Sequence, residues 1–159
     1  MVVRLSMNHK GLTIIEALAG ILILSFVMVG TMTILINSRT QSKATEEYLI
    51  ASQVGIMLSN YVTTYMTDDA NSQNLELFME GYAPGVSRDL TASTCTIYFN
   101  NDFCTNLFSQ PPIGGRTYNH ENIFISVVKP INATSIIKVT ITINYFSSRM
   151  TSVEAFVYV

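Results

Sequence analysis

From Leu12 to Ile36 the chain reads LTIIEALAGILILSFVMVGTMTILI, twenty-five residues whose only charge is Glu16. A bilayer core takes about 20 apolar residues in helix, so this run is long enough to span one. The rest of the composition agrees. Of 159 residues only 13% are charged, where soluble chains carry about a quarter, and the mean hydropathy is +0.33. Part of the chain is built for surroundings other than water, and what remains is one ordinary domain. Nine Lys and Arg stand against eleven Asp and Glu. That balance offers no basic surplus to hold a phosphate backbone, so the sequence does not support DNA binding as a main activity.

The flanks of the run decide how to read it. A secretory signal peptide has an apolar region of about 7 to 15 residues followed by small residues at the cut. This run is too long and no such site follows it. Before it lie Arg4, His9 and Lys10 with no acid. The positive-inside rule then keeps the N-terminus cytoplasmic and sends residues 37–159 outward. Lys10-Gly11 stands directly before the apolar residues, and Glu16 lies five residues in, where a carboxylate is costly and marks a functional candidate.

K-G-L-T-I-I-E-A-L at Lys10–Leu18, followed by an apolar helix, resembles the N-terminal signature of the type IV pilin and type II secretion pseudopilin superfamily. The resemblance covers residues 9–36. It implies that a prepilin peptidase cuts between Gly11 and Leu12 and methylates the new N-terminus at Leu12. The usual first residue is Phe; here it is Leu12. The A-L-A-G-I-L-I-L-S-F continuation and Glu46–Ala51 are similar to minor pilins and pseudopilins. The implied domains are a leader at 1–11, a transmembrane and filament-core helix at 12–36, the exported half of that helix at 37–66, and a connector with a β-sheet headgroup at 67–159.

Glu16 has a physical role in that reading. The freed Leu12 amine has a reference pKa of about 7.7 to 8 and is stranded at the end of an apolar helix. In a bundle of parallel helices, Glu16 of one subunit can neutralise the amine of a neighbour staggered by about one turn, which fixes axial register. Family precedent implies other pilins, a prepilin peptidase, a platform protein, an assembly ATPase and the membrane as partners. Adhesion, motility, DNA uptake and secretion filaments all use these N-terminal physics.

Beyond Ile36, Ala44, Tyr48, Ala51, Val54, Leu58, Tyr61, Val62 and Tyr65 recur at steps of three and four, which predicts one helix from about Leu12 to Tyr65. Gly20 and Gly30 are its weak points. Asp68 to Asn74 is a polar break, and residues 66–91 read as a connector with a short apolar stretch at Leu75–Met79 and a turn at Pro84-Gly85. Ile137 to Tyr145 and Val153 to Val159 alternate with period two and predict an antiparallel hairpin joined by Ser147–Thr151. Ser93–Phe99 and Ile123–Lys129 supply two further strand candidates. The expected fold is α+β, a long N-terminal helix packed on a C-terminal antiparallel sheet.

Cys95 and Cys104 are the only cysteines and fall in the part expected outside. An even count in an oxidising compartment favours a disulfide, here stapling a strand at Cys95 to the Asn100–Asp102 turn. Enzyme chemistry is not expected. His120 is a lone histidine in a polar loop, and no nucleophile, metal or phosphate-binding motif occurs. Asp68, Asp69, Asn71 and Glu76 lack the EF-hand glycine and closing Glu and read as a solvated helix end, so neither metal nor cofactor is expected. Aromatics such as Phe103, Phe108, Tyr118, Phe124 and Phe146 are expected in the core, and Asn132-Ala133-Thr134 is a glycosylation sequon. The competing reading is an uncleaved, single-span, signal-anchored surface protein with a ligand-binding β domain, which would keep Met1 and tolerate Glu16→Gln.

Overall fold

The computed structural model describes residues 13–110, 113, 115, 117–132, 135–145 and 149–159. The expected cut at Gly11 and Leu12 lies outside them, as do Phe146 and part of the sequon. The chain divides into two compact units, Met1–Lys43 and Ala44–Val159. In chain order the elements are α1 (Ile14–Tyr65), α2 (Asp69–Phe78), β1 (Ser87–Leu90), α3 (Ala92–Tyr98), α4 (Asn101–Phe108), β2 (Ile123–Val128), β3 (Ile136–Tyr145) and β4 (Arg149–Tyr158). The fold is α+β: a long N-terminal helix and a four-stranded antiparallel sheet in the order β1-β2-β3-β4.

In the first unit α1 runs unbroken through Gly20 and Gly30 and buries nothing. In the second, its residues Ala44, Ala51, Val54, Gly55, Leu58 and Val62 are buried, at the three- and four-residue spacing that puts one stripe of a helix against a core. The sheet supplies the other layer. Ile123, Ile125 and Val127 of β2, Ile137 to Ile143 at alternate positions of β3, and Ala155 and Val157 of β4 face the core. A Cβ at Gly55 would stand 2.8 Å from Val153 Cγ2, so only glycine lets helix and sheet approach this closely.

The end of α1 is tied down by aromatic rings. Phe103 of α4 stacks on Tyr65 at 3.9 Å and on Tyr61 at 5.4 Å, with Phe99 at 5.5 Å. Such pairs contribute about 0.5–1.5 kcal/mol each beyond their area burial. Phe103, Phe108 and Tyr118 are core residues as expected, whereas Phe124 sits half-exposed on the outer face of β2 because Ile123 and Ile125 take the inner positions.

The middle of the chain departs from the sequence reading. Ser93–Phe99 is not a strand; Ala92–Tyr98 is helix α3. Thr91 caps it with a reciprocal box, its hydroxyl accepting from the Thr94 N–H while Thr94 Oγ1 accepts from the Thr91 N–H. Cys95 and Phe99, four apart, then share the buried face. The connector also folds. Asp68 caps α2 by accepting from the Ala70 N–H at 3.0 Å, which buries Leu75 and Phe78. Arg88 of β1 lies 4.1 Å from the Phe78 ring centre, 4.9 Å from Tyr82 and 5.4 Å from Tyr98, and donates to the Phe78 carbonyl. One guanidinium thus joins α2, α3 and the sheet.

Candidate functional site

The N-terminal unit is where charge and hydrocarbon meet. Thr13 is the residue before the first helical position, and the Glu16 N–H donates to its hydroxyl at 3.3 Å, a cap at the start of α1. The pattern Thr13-x-x-Glu16 is the signal that reveals it, and the sequence reading above passed over it. From Ile14 to Ile36 every residue is exposed, including Ile14 at 81% and Phe26 at 77%. The segment is long and apolar enough to cross a membrane.

Its polar side chains are treated in two ways. Ser25 donates to the Ile21 carbonyl at 2.8 Å, Thr31 to Met28 at 3.0 Å and Thr33 to Val29 at 2.9 Å. Each hydroxyl is satisfied by its own helix, which is what a lipid-facing hydroxyl needs. The Glu16 carboxylate differs. It is exposed in the first turn and has no hydrogen-bond or ion-pair partner among the described residues. A carboxylate in the first turn gains from the helix dipole. That is a fraction of what removing it from water would cost, so in an apolar bundle it needs a cation from elsewhere.

The other candidate residues lie in the second unit. Cys95 and Cys104 form a disulfide with Cα atoms 5.8 Å apart, both side chains buried. It links α3 to α4 rather than a strand to a turn, because Asn100 caps α4 by accepting from the Asp102 N–H and carries Cys104 into a helix. His120 is exposed and, with Asp89, Phe124 and Ser126, lines a concavity of about 510 Å³. The acidic residues considered for calcium do other work: Asp68 caps α2, and Glu76 pairs with Lys129 at 3.5 Å. Among the described residues no three His, Cys, Asp or Glu side chains gather where a metal ion could be held.

Set against protein-family models, curated proteins and solved structures, the chain has no match in any of the three. The site must therefore be read from its own chemistry. That chemistry is a capped apolar helix whose first-turn carboxylate has no partner among the described residues, continuous in sequence with a disulfide-bonded α+β unit.

Proposed function

We propose that this chain is a prepilin-like structural subunit, a minor pilin or pseudopilin. It would be stored in the membrane through residues 12–36 and assembled into an extracytoplasmic filament after cleavage between Gly11 and Leu12. The observation that carries the reading is the contrast at the start of α1: the Ser25, Thr31 and Thr33 hydroxyls are bonded inside the helix, while the Glu16 carboxylate has no partner among the described residues. The Leu12 amine of a neighbouring subunit is the cation that would complete it. Assembly then exchanges lipid contacts for helix contacts, and the buried pair sets the stagger. A prepilin peptidase, a platform protein, a cytoplasmic ATPase and other pilins are the partners this role requires. The disulfide supports an oxidising location for residues 44–159, and with it a cytoplasmic N-terminus.

Intact mass and N-terminal sequence, measured on membranes from cells with and without the prepilin peptidase, test the reading. A chain beginning at Leu12, one methyl group heavier, is expected only when the peptidase is present. A chain beginning at Met1 in both strains would overturn it in favour of the uncleaved surface anchor.

A further inference from the structure

The two edges of the sheet are unlike. β1 is four residues long, so that edge offers few backbone groups, and its Arg88 side chain is held among three aromatic rings. β4 is ten residues long and pairs with β3 in unbroken register from Ile136↔Tyr158 to Tyr145↔Arg149. It contains no proline, no lysine and no bulge, three of the devices by which exposed edges are ordinarily kept from pairing. Its charges are Arg149 at the strand's start and Glu154, whose carboxylate is paired with Lys138 of the neighbouring strand.

The register says which backbone groups the β4 edge offers. The Val159 N–H donates to the Ser135 carbonyl at 3.1 Å, one step beyond the Ile136↔Tyr158 pair. Bonded and non-bonded positions alternate in an antiparallel ladder, so the odd-numbered residues of β4 turn their backbone to β3. The Asn144 N–H bond to the Asn122 carbonyl at 2.8 Å gives the same parity from the other side of β3. Met150, Ser152, Glu154, Phe156 and Tyr158 therefore turn N–H and C=O to the free edge. No backbone partner for these groups occurs among the described residues. Their side chains stand on the outer face, with Tyr158 75% and Phe156 50% exposed.

We infer that β4 is a docking edge for an extended strand donated by a different protein of the same assembly. Donors and acceptors repeating every second residue are matched by another backbone, and the strand's own alternate side chains would cover Phe156 and Tyr158. The inference rests on the filament reading in one respect, the identity of the donor. Subunits whose α1 helices lie side by side share one helix direction and one sheet face. A second copy pairing antiparallel through its own β4 would be related by a two-fold axis through the sheet, which reverses the helix. A parallel pairing would put the two helices on opposite faces of the joined sheet. The other edge of a copy, β1, matches at most four residues.

Residue-resolved amide exchange of the full chain, isolated in detergent and again in filaments sheared from cells, tests this. In the isolated chain the odd-numbered β4 amides are expected to be slow and the even-numbered ones fast. In filaments Ser152, Glu154 and Phe156 should slow by about 100-fold or more. Ser152→Pro removes an outward N–H without touching a β3 bond. It should lower incorporation by about 10-fold while Ser152→Ala, which keeps the N–H, does not. Even-numbered amides that stay fast in filaments built from chains beginning at Leu12 would overturn the strand addition alone and leave the filament reading standing. Protection that rises with the concentration of the isolated chain would mean self-pairing and would overturn a foreign donor.

Discussion

The two halves of α1 are the same secondary structure with two different surfaces. Residues 14–36 are exposed without exception, with bulky apolar side chains on every face. Between Ala44 and Val62 the helix narrows to one buried stripe, while Glu46, Gln53 and Asn60 point to water. A helix apolar all round belongs in hydrocarbon or among other helices; a striped one belongs on a core. Backbone hydrogen bonding is identical in both, so the difference rests on side-chain distribution. Among the described residues the first half leaves its apolar surface uncovered, and the second packs its stripe on its own sheet.

That contrast can be broken from either side. The largest effect is expected from Glu16→Gln, which should reduce filament incorporation by more than 10-fold, since a buried amine without its counter-charge costs several kcal/mol. The melting temperature of the Ala44–Val159 unit should stay unchanged, as circular dichroism of the detergent-solubilised chain would check. Phe103→Ala should do the reverse, lowering stability by about 3–5 kcal/mol in denaturant titration and leaving membrane extraction behaviour as it was. The Cys95→Ser, Cys104→Ser double variant should cost about 2–3 kcal/mol and make α3 and α4 susceptible to limited proteolysis. Gly55→Ala pushes a methyl against Val153 and should cost about 1–3 kcal/mol, read as a lowered urea midpoint. Lys138→Ala breaks the 3.0 Å pair with Glu154 on the outer face. The pair is partly solvated, so the same titration should move by about 1 kcal/mol or less.

Long, regular signals were legible in the sequence and short, capped ones were not. The apolar run and the three-and-four spacing to Tyr65 give α1 to within two residues of its observed start. Period-two alternation gives the β3–β4 hairpin, with β4 beginning at Arg149 instead of after Thr151. The middle third failed because its elements are brief. β1 reads Ser-Arg-Asp-Leu and takes its strand identity from pairing with β2. α3, with its β-branched Thr94, Thr96 and Ile97, has strand-like composition, and the Thr91–Thr94 box overrides it. The cysteine pair was readable from its even count and expected compartment, and Glu16 stands out in the sequence as the single charge of the apolar run. Gly55 meets Val153 almost a hundred positions on, and Arg88 gathers rings from three separate short segments six to ten positions away, so neither shows a periodic signal.

The cap at Thr13 has a consequence for maturation. A helix whose first turn is held by Thr13 carries its own starting point on the retained side of the proposed cut. Removing the leader would leave that capped first turn in place with a new positive terminus on the residue directly before Thr13. The peptidase would then act as an electrostatic switch on a finished part, turning a helix at rest in the bilayer into one that attracts the carboxylate of the next.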